Sequence, residues 1–228
     1  MAAMHADLKV ILIVAILAAV IGLLIFRAVW AAKRQKQLYA WCRANHLQFD
    51  PARSDDPGAE FSQVQVMQEG LRRFGENWCM GKWQGRPICY FDYHYTASPG
   101  ENQSSHDLSI MTLESATPLK PLTVRPEGLL DKVGDFFGAE EIHFESAEFN
   151  RRFHVTCEDR KWAYDALPPR ALELLLASPR QLRIQFDDRA VVIWDGRLWP
   201  VEEIDQAARI AAGLLNLMPK FAAQEAME

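Results

Sequence analysis

A single apolar run dominates the hydrophobic pattern of this chain. Val10–Trp30 (VILIVAILAAVIGLLIFRAVW) contains one charge, Arg27, close to its end. About twenty residues in an α-helix, at about 1.5 Å each, cross the hydrocarbon core of a bilayer. The run is longer than the apolar core of a typical signal peptide, and no clear cleavage site follows it. We therefore predict a retained transmembrane helix, rather than a cleaved signal or a buried core helix, with Arg27 and Trp30 at the membrane surface.

The helical pattern continues beyond the membrane. Ala31–Leu47 contains neither proline nor glycine, and Leu38, Trp41 and Cys42 recur at helical spacing. The charges that follow the apolar run are basic, whereas those before it cancel. Basic flanks stay in the cytoplasm. The pattern therefore predicts a protein of the cell membrane whose N-terminus lies outside and whose C-terminal domain lies in the cytoplasm. These flanking charges are Asp7 and Lys9 before the run, and Arg27, Lys33, Arg34, Lys36 and Arg43 after it.

Small residues share one face of the predicted membrane helix. They are separated by three or four positions, so another helix can approach closely along that face. This spacing predicts a weak homo-oligomer through Ala15, Ala18, Ala19 and Gly22.

Alternation with a period of two predicts the strands. The clearest hairpin surrounds Gln84-Gly85, and a second one surrounds Asp187-Asp188-Arg189. The predicted strands are 77–83, 87–96, 107–114, 122–125 as a short edge strand, 141–144, 151–157, 182–186 and 190–194.

Helical spacing and proline or glycine boundaries predict the helices of the same domain. Asp159 is placed to cap a helical turn that begins at Arg160. The predicted helices are 61–74, 126–137, 160–165, 170–177 and 200–218, and the last one is expected to pack on the sheet rather than form a coiled coil.

Together these elements predict an α+β protein: an N-terminal single transmembrane helix followed by one domain with a largely antiparallel sheet and covering helices. The expected segments are 1–9 as a short N-terminal stretch, 10–30 as the transmembrane helix, 31–49 as a basic juxtamembrane helix, 50–60 as a loop, 61–218 as the soluble domain and 219–228 as a tail.

Charge narrows the classes of partner. The net charge is −5, and residues 1–46 carry +5 of it, so the remainder carries −10. A nucleic-acid ligand is not expected, because phosphate backbones repel an anionic domain. In the cytoplasm thiols stay reduced, so the cysteines, which form no CxxC pair and have no histidine at metal-ligand spacing, are interpreted as free thiols: Cys42, Cys79, Cys89 and Cys157.

No catalytic or phosphate-binding motif is present in the sequence. Asp92 and His94 share one face of a predicted strand, where a general base or a metal site is conceivable. The alternative is a solvated strand face, on which replacing both residues changes stability by about 0.5 kcal/mol or less. His143 and His154 are also expected on strands. Because no third group accompanies the pair in sequence, we assign no catalytic, cofactor-binding or metal-binding residue.

The stretch Phe149–Leu176 resembles uncharacterised bacterial membrane-anchored proteins of a domain-of-unknown-function family. The resemblance also takes in Gly81, Gly85 and Phe91-Asp92-Tyr93 upstream. It implies a membrane-anchored protein of the bacterial inner membrane with no established activity, so it transfers no functional residue. The positions that carry it are Phe153, Val155, Asp159, Ala163, Leu167, Pro169, Leu172, Leu175 and Leu176.

The sequence thus favours a single-pass membrane protein that contacts the bilayer through 10–30 and whose domain is a non-catalytic binding or scaffold module for a protein or small ligand. The alternatives are a membrane-tethered enzyme, such as a hydrolase, and a structural subunit of a membrane complex. No cofactor is expected.

Overall fold

The structure, a computed structural model, describes residues 2–55, 57, 64–97, 104–127 and 140–219, with the backbone alone for 2–10 and 140. Its first element is α1 (Ala2–Ala44), a helix of 43 residues. Within the described residues, this is the helix that is long and apolar enough to cross a membrane. The structure therefore confirms one apolar helix of membrane-spanning length and its continuation past Trp30.

The rest of the described chain forms a ten-stranded sheet with helices packed against it. Every recorded strand pair is antiparallel. The strands are β1 (Gln48–Asp50), β2 (Ser54–Asp55), β3 (Leu71–Trp83), β4 (Arg86–Thr96), β5 (Ser105–Glu114), β6 (Leu122–Pro126), β7 (Glu140–Glu141), β8 (Phe153–Cys157), β9 (Arg183–Asp187) and β10 (Ala190–Trp194). Their order is β1-β3-β4-β5-β10-β9-β6-β8-β7, with β2 beside β3.

The remaining helices complete the predicted α+β architecture, which is confirmed. Asp159 caps its helix as expected, since its carboxylate accepts a hydrogen bond from the Trp162 amide at 3.0 Å. The helices are α2 (Gln65–Gln68), α3 (Ala147–Arg152), α4 (Arg160–Ala166), α5 (Pro169–Leu176) and α6 (Val201–Leu217).

Both predicted hairpins are present. In the first, Gln84 and Gly85 have φ of 51° and 83°, as the two-residue turn that matches the twist of its strands requires. This turn places Cys89 opposite Met80 and leaves Cys79 on the other side of the sheet.

The sheet is covered on both faces along β10. Val191 and Ile193 face the larger core, which α6 and the end of α1 cover, whereas Val192 and Trp194 face a smaller core. The larger core includes Leu38 of α1, which is fully buried. The folded unit therefore begins inside the segment 31–49, which sequence analysis placed outside the domain.

Two predicted elements are correct over only part of their ranges. The helix expected over 61–74 is only α2 in the described part, because Gly70, with φ of 70°, turns the chain and β3 begins at Leu71. The strand expected over 151–157 begins at Phe153, because Ser146 accepts a hydrogen bond from the Phe149 amide at 3.2 Å and thereby caps α3.

The position of β6 is a further correction. It lies between β9 and β8, inside the sheet rather than at an edge. Pro126 is tolerated because it is the last residue of the strand. The predicted helix 126–137 lies, beyond Glu127, outside the described residues, as does the tail after Pro219. His143 is not on a strand, because β7 ends at Glu141.

The interpretation of four free thiols is also wrong. Cys42 of α1 and Cys79 of β3 form a disulfide with a Cα–Cα distance of 6.1 Å, and both residues are buried. The two positions are 37 residues apart and meet only because α1 packs on the sheet. Cys89 and Cys157 are not part of a disulfide in the described residues, and burial raises the pKa of Cys157 to about 11.

Candidate functional site at the end of the anchor helix

One stripe of α1 enters the domain. Arg34, Leu38, Trp41 and Cys42 are spaced by four, three and one positions and are all buried, as one face of a helix should be when it packs on a sheet. Arg34 is the unusual member, because a charged side chain is rarely buried without a partner. Its partner in the sheet is Asp92.

Arg34 and Asp92 form a buried, two-pronged ion pair. The Arg34 Nε donates to Asp92 Oδ2 at 2.6 Å, and its Nη2 donates to Asp92 Oδ1 at 2.7 Å. Only 1% of Asp92 and 8% of Arg34 are exposed. We call this pair, with the polar groups that surround it, the latch, because it joins α1 (Ala2–Ala44), which we call the anchor helix for its apolar run, to the centre of β4.

The rest of the latch satisfies both charges. Arg34 Nη2 donates to the Tyr90 hydroxyl at 2.9 Å, and Arg34 Nη1 donates to the Trp199 carbonyl at 3.0 Å. Asn77 donates to Asp92 Oδ2 at 3.0 Å. A buried ion pair is tolerated only when its remaining hydrogen-bonding positions are filled in this way.

A backbone irregularity delivers Asn77 to the latch. The register of β3 against β4 shifts between Glu76 and Cys79, and Asn77 has φ of 58°. Asparagine is among the few residue types that adopt this left-handed conformation readily. A bulge re-aims a side chain, and here the amide of Asn77 reaches the carboxylate of Asp92.

A second buried ion pair supports the segment that carries Trp199. Arg180 Nη2 donates to Asp195 Oδ2 at 2.8 Å, and its guanidinium lies 4.4 Å from the centre of the Trp199 ring. The Trp199 indole donates to Asp195 Oδ1 at 2.6 Å, while the Trp199 amide donates to Ser109 Oγ at 2.9 Å. The indole and the backbone amide of Trp199 are thus both hydrogen-bonded, and its carbonyl accepts the hydrogen bond from Arg34 Nη1.

His94 occupies a separate cluster on the same face of β4. Its Nδ1 lies 2.7 Å from Asp107 Oδ1, and its Nε2 lies 3.4 Å from Glu76 Oε1. Burial of the ring lowers its pKa, but the hydrogen bond to Asp107 and the ion pair with Glu76 outweigh this and raise the pKa of His94 to about 9. The same contacts lower the pKa of both carboxyl groups. At neutral pH the cluster is an imidazolium between two carboxylates.

The His94 cluster lines a groove between the anchor helix and the sheet, with a volume of about 570 Å³. We call it the junction groove. One wall is the end of the apolar run, and the other is formed by β3, β4 and β5. The helix wall includes Phe26, Arg27 and Trp30, and the sheet wall includes Arg72, Glu76 and His94.

The predicted pair of Asp92 and His94 does share a strand face, but the two side chains have different roles. Asp92 is buried in the latch instead of solvated, and Arg34, Asn77, Glu76 and Asp107 are the partners that sequence reasoning missed. A signal for the latch was present, since Arg34 lies four and seven positions before Leu38 and Trp41 on the buried stripe.

Metal ligands can converge at another place in the described residues. Ligand atoms of Glu127, Glu141 and His154 lie within 4.8 Å of one another. We assign no metal there, because both glutamates are exposed and His154 already pairs with Glu141 at 3.1 Å.

No known family model and no curated protein matches the sequence. Among solved structures, the fold is similar to the crystal structure of the mycobacterial trehalose monomycolate transport factor A, TtfA. The two chains are 13% identical, the alignment covers 81% of this chain and 96% of that one, and the TM-score is 0.61. At this identity the comparison shows that this chain shares the α+β fold of that protein.

Proposed function

We propose that this protein is a single-pass membrane-anchored accessory protein whose domain is a non-catalytic binding module held in a fixed orientation to the bilayer. The observation that carries the proposal is the latch. The helix that contains the apolar run continues without a break into the core, where Arg34 pairs with Asp92. A tether that only localises an enzyme needs no such rigid joint, whereas a module that presents one face to the membrane does.

The chemistry of the candidate residues supports a binding role. Asp92 is enclosed by its own partners and has no accessible oxygen to offer a substrate. His94, with its pKa raised to about 9 by contacts that outweigh the effect of burial, is already protonated at neutral pH. A general base must accept a proton near the operating pH, so His94 is poorly suited to that task.

We further propose that the domain lies in the cytoplasm, because the basic flank follows the apolar run. The Cys42–Cys79 disulfide bears on the same question, since such bonds are rare in reducing compartments. Both sulfur atoms belong to buried residues, and thiol exchange requires access to the bond. Burial therefore protects the bond kinetically, and orientation has to be measured together with the state of these cysteines.

The similar structure suggests a narrower version of the proposal. That protein is a transport factor, so we propose that the module described here assists a membrane transport process rather than performing a reaction. The shared fold supports this version through architecture only. The ligand or partner has to be argued from this chain's own surface.

The experiment that tests this function inserts seven Gly/Ser residues between Ala31 and Ala32 of the full-length protein. The span and the latch both survive this change, but the fixed orientation is lost. A seven-residue helical insertion, which adds about 10.5 Å but keeps the joint stiff, is the matched control.

We expect the flexible insertion to reduce the amount of membrane partner that is cross-linked to the protein in native cells more than the helical insertion does. No small molecule should accumulate with either insertion. Accumulation of a small molecule in cells that lack the protein, reversed equally by both insertion variants, would instead identify a tethered enzyme.

A further inference from the structure

The junction groove opens where the apolar run ends. Phe26 is the last apolar residue before Arg27, and Trp30 has the interfacial position typical of tryptophan. All three line the groove. A chain that spans the bilayer through 10–30 therefore places this groove at the depth of the lipid headgroups.

Two guanidinium groups in the groove are available for a ligand. Arg27 lies on the helix wall and Arg72 on the sheet wall. Neither makes a hydrogen bond or a close ion pair within the described part of the chain. A guanidinium presents a planar set of donors that matches phosphate oxygens.

The carboxylates of the groove cancel these cations only in part. Asp107 and Glu76 both contact the protonated His94, so the cluster of three carries a net charge of about −1. With Arg27 and Arg72 the groove is about +1. The charge of Arg27 acts on Asp107, but neither arginine donates a hydrogen bond to a described residue, so the donors of both remain open to a ligand. Its charge therefore suits an anion, while Phe26 and Trp30 supply an apolar wall.

The backbone at Arg72 is held in an uncommon conformation. Its φ is 52°, in the left-handed region, where a side chain such as arginine is rarely found. It lies in a bulge, where the pairing of β3 and β4 shifts between Leu71 and Phe74. The second bulge of the same strand positions Asn77 in the latch. The two bulges of β3 therefore place one polar side chain, Asn77, in the latch and another, Arg72, in the groove.

We propose that the junction groove binds the phosphate of a membrane phospholipid, with Arg27 and Arg72 on the headgroup and Phe26 and Trp30 against the start of the acyl chains. This proposal rests on the binding-module function and names its ligand class. In this proposal the domain binds the headgroup of a phospholipid that lies next to its own transmembrane helix.

The test uses full-length protein in maltoside micelles, titrated with phosphatidylglycerol and followed by native mass spectrometry. The variants are Arg72→Asn, whose new residue adopts positive φ easily, and Arg27→Gln. The matched control is Arg189→Gln, since Arg189 is exposed in the distant β9–β10 turn. We expect each groove variant to bind about tenfold or more weakly, as loss of a charge-assisted hydrogen bond implies, and the control to bind as wild type.

Two further ligands separate the possible sources of binding. Diacylglycerol with the same chains lacks the phosphate, and glycerol phosphate lacks the chains. We expect both to bind at least tenfold more weakly than the lipid. Equal lipid binding by wild type and Arg72→Asn, or equal binding of diacylglycerol, overturns phosphate recognition. Glycerol phosphate that binds as tightly as the lipid overturns the lipid occupant in favour of a soluble phosphate.

Failure of this proposal can be distinguished from failure of the binding-module function. A lipid titration without Arg72 dependence leaves the result of the flexible insertion intact. Conversely, a small molecule that accumulates in cells lacking the protein, and that both insertion variants clear equally, refutes the binding-module proposal whatever the result of the lipid titration.

Discussion

Asp92→Asn is the sharpest perturbation of the latch. The substitution keeps the shape of the side chain but removes its charge, and so leaves the Arg34 guanidinium buried without a carboxylate. A solvated strand face, which the sequence pattern alone favours for Asp92, implies a change of about 0.5 kcal/mol or less. The structure predicts a far larger effect, because only 1% of Asp92 is exposed.

The magnitude follows from the buried pair. Removing one partner of a buried ion pair destabilises a protein by about 3–5 kcal/mol, since the remaining charge is left uncompensated. For a domain of this size, 1 kcal/mol corresponds to a fall in Tm of about 2–4 °C. We therefore expect Asp92→Asn to lower the Tm by about 6–20 °C.

The chain contains a matched control. Arg53 Nε donates to Asp55 Oδ1 at 3.0 Å, and these side chains are 57% and 81% exposed. Asp55→Asn removes the same chemistry from the surface, where such pairs contribute about 1 kcal/mol or less. Thermal unfolding of the full-length protein in detergent, followed by circular dichroism, compares the two variants.

A double-mutant cycle assigns the loss to the pair itself. Arg34→Met removes the other charge, so the double variant should lose less stability than the two single variants lose in sum. If Asp92→Asn lowers the Tm no more than Asp55→Asn does, or if the two latch substitutions are additive, the latch does not hold the anchor helix to the sheet.

Three further predictions use other parts of the molecule. The fragment 50–228, which sequence analysis expected to fold, should lack a cooperative thermal transition, because it omits the core residues of α1, whereas 31–228 should show one; two equal transitions would refute this. The pKa of His94 is raised from 6.5 to about 9, so the contribution of protonated His94 to the free energy of unfolding should be complete below about pH 6.5 and lost as pH rises through 9. Chemical denaturation at a series of pH values measures this loss, which His94→Gln should not show. A reporter active only in the cytoplasm should be active at the C-terminus, and an active exported-only reporter would reverse the orientation. Mass spectrometry of alkylated protein should find Cys42 and Cys79 unlabelled until the protein is both unfolded and reduced, whereas labelling on unfolding without a reductant would mean free thiols.

Local signals were sufficient for much of the fold. The turn at Gln84-Gly85 and the alternation in β4 identified the central hairpin, because both depend on neighbours in sequence. The cap at Asp159 and the prolines before α5 are equally local. The helix expected over 61–74 is not continued after α2 because Gly70, with φ of 70°, turns the chain, and the residues that follow pair with β4.

The candidate site depends instead on contacts between distant segments. Arg34 and Asp92 are 58 positions apart, and no local rule pairs them. Each does leave a trace: Arg34 interrupts a buried helical stripe, and Asp92 interrupts a strand of aromatic residues, Tyr90 to Tyr95. A charge placed where the pattern demands an apolar residue is a reason to search for its opposite on the facing element, because burial without a partner costs too much to be retained. The same reasoning links sequence to the proposed function, since the residue that completes the core of the domain also fixes how the domain is joined to the apolar helix α1.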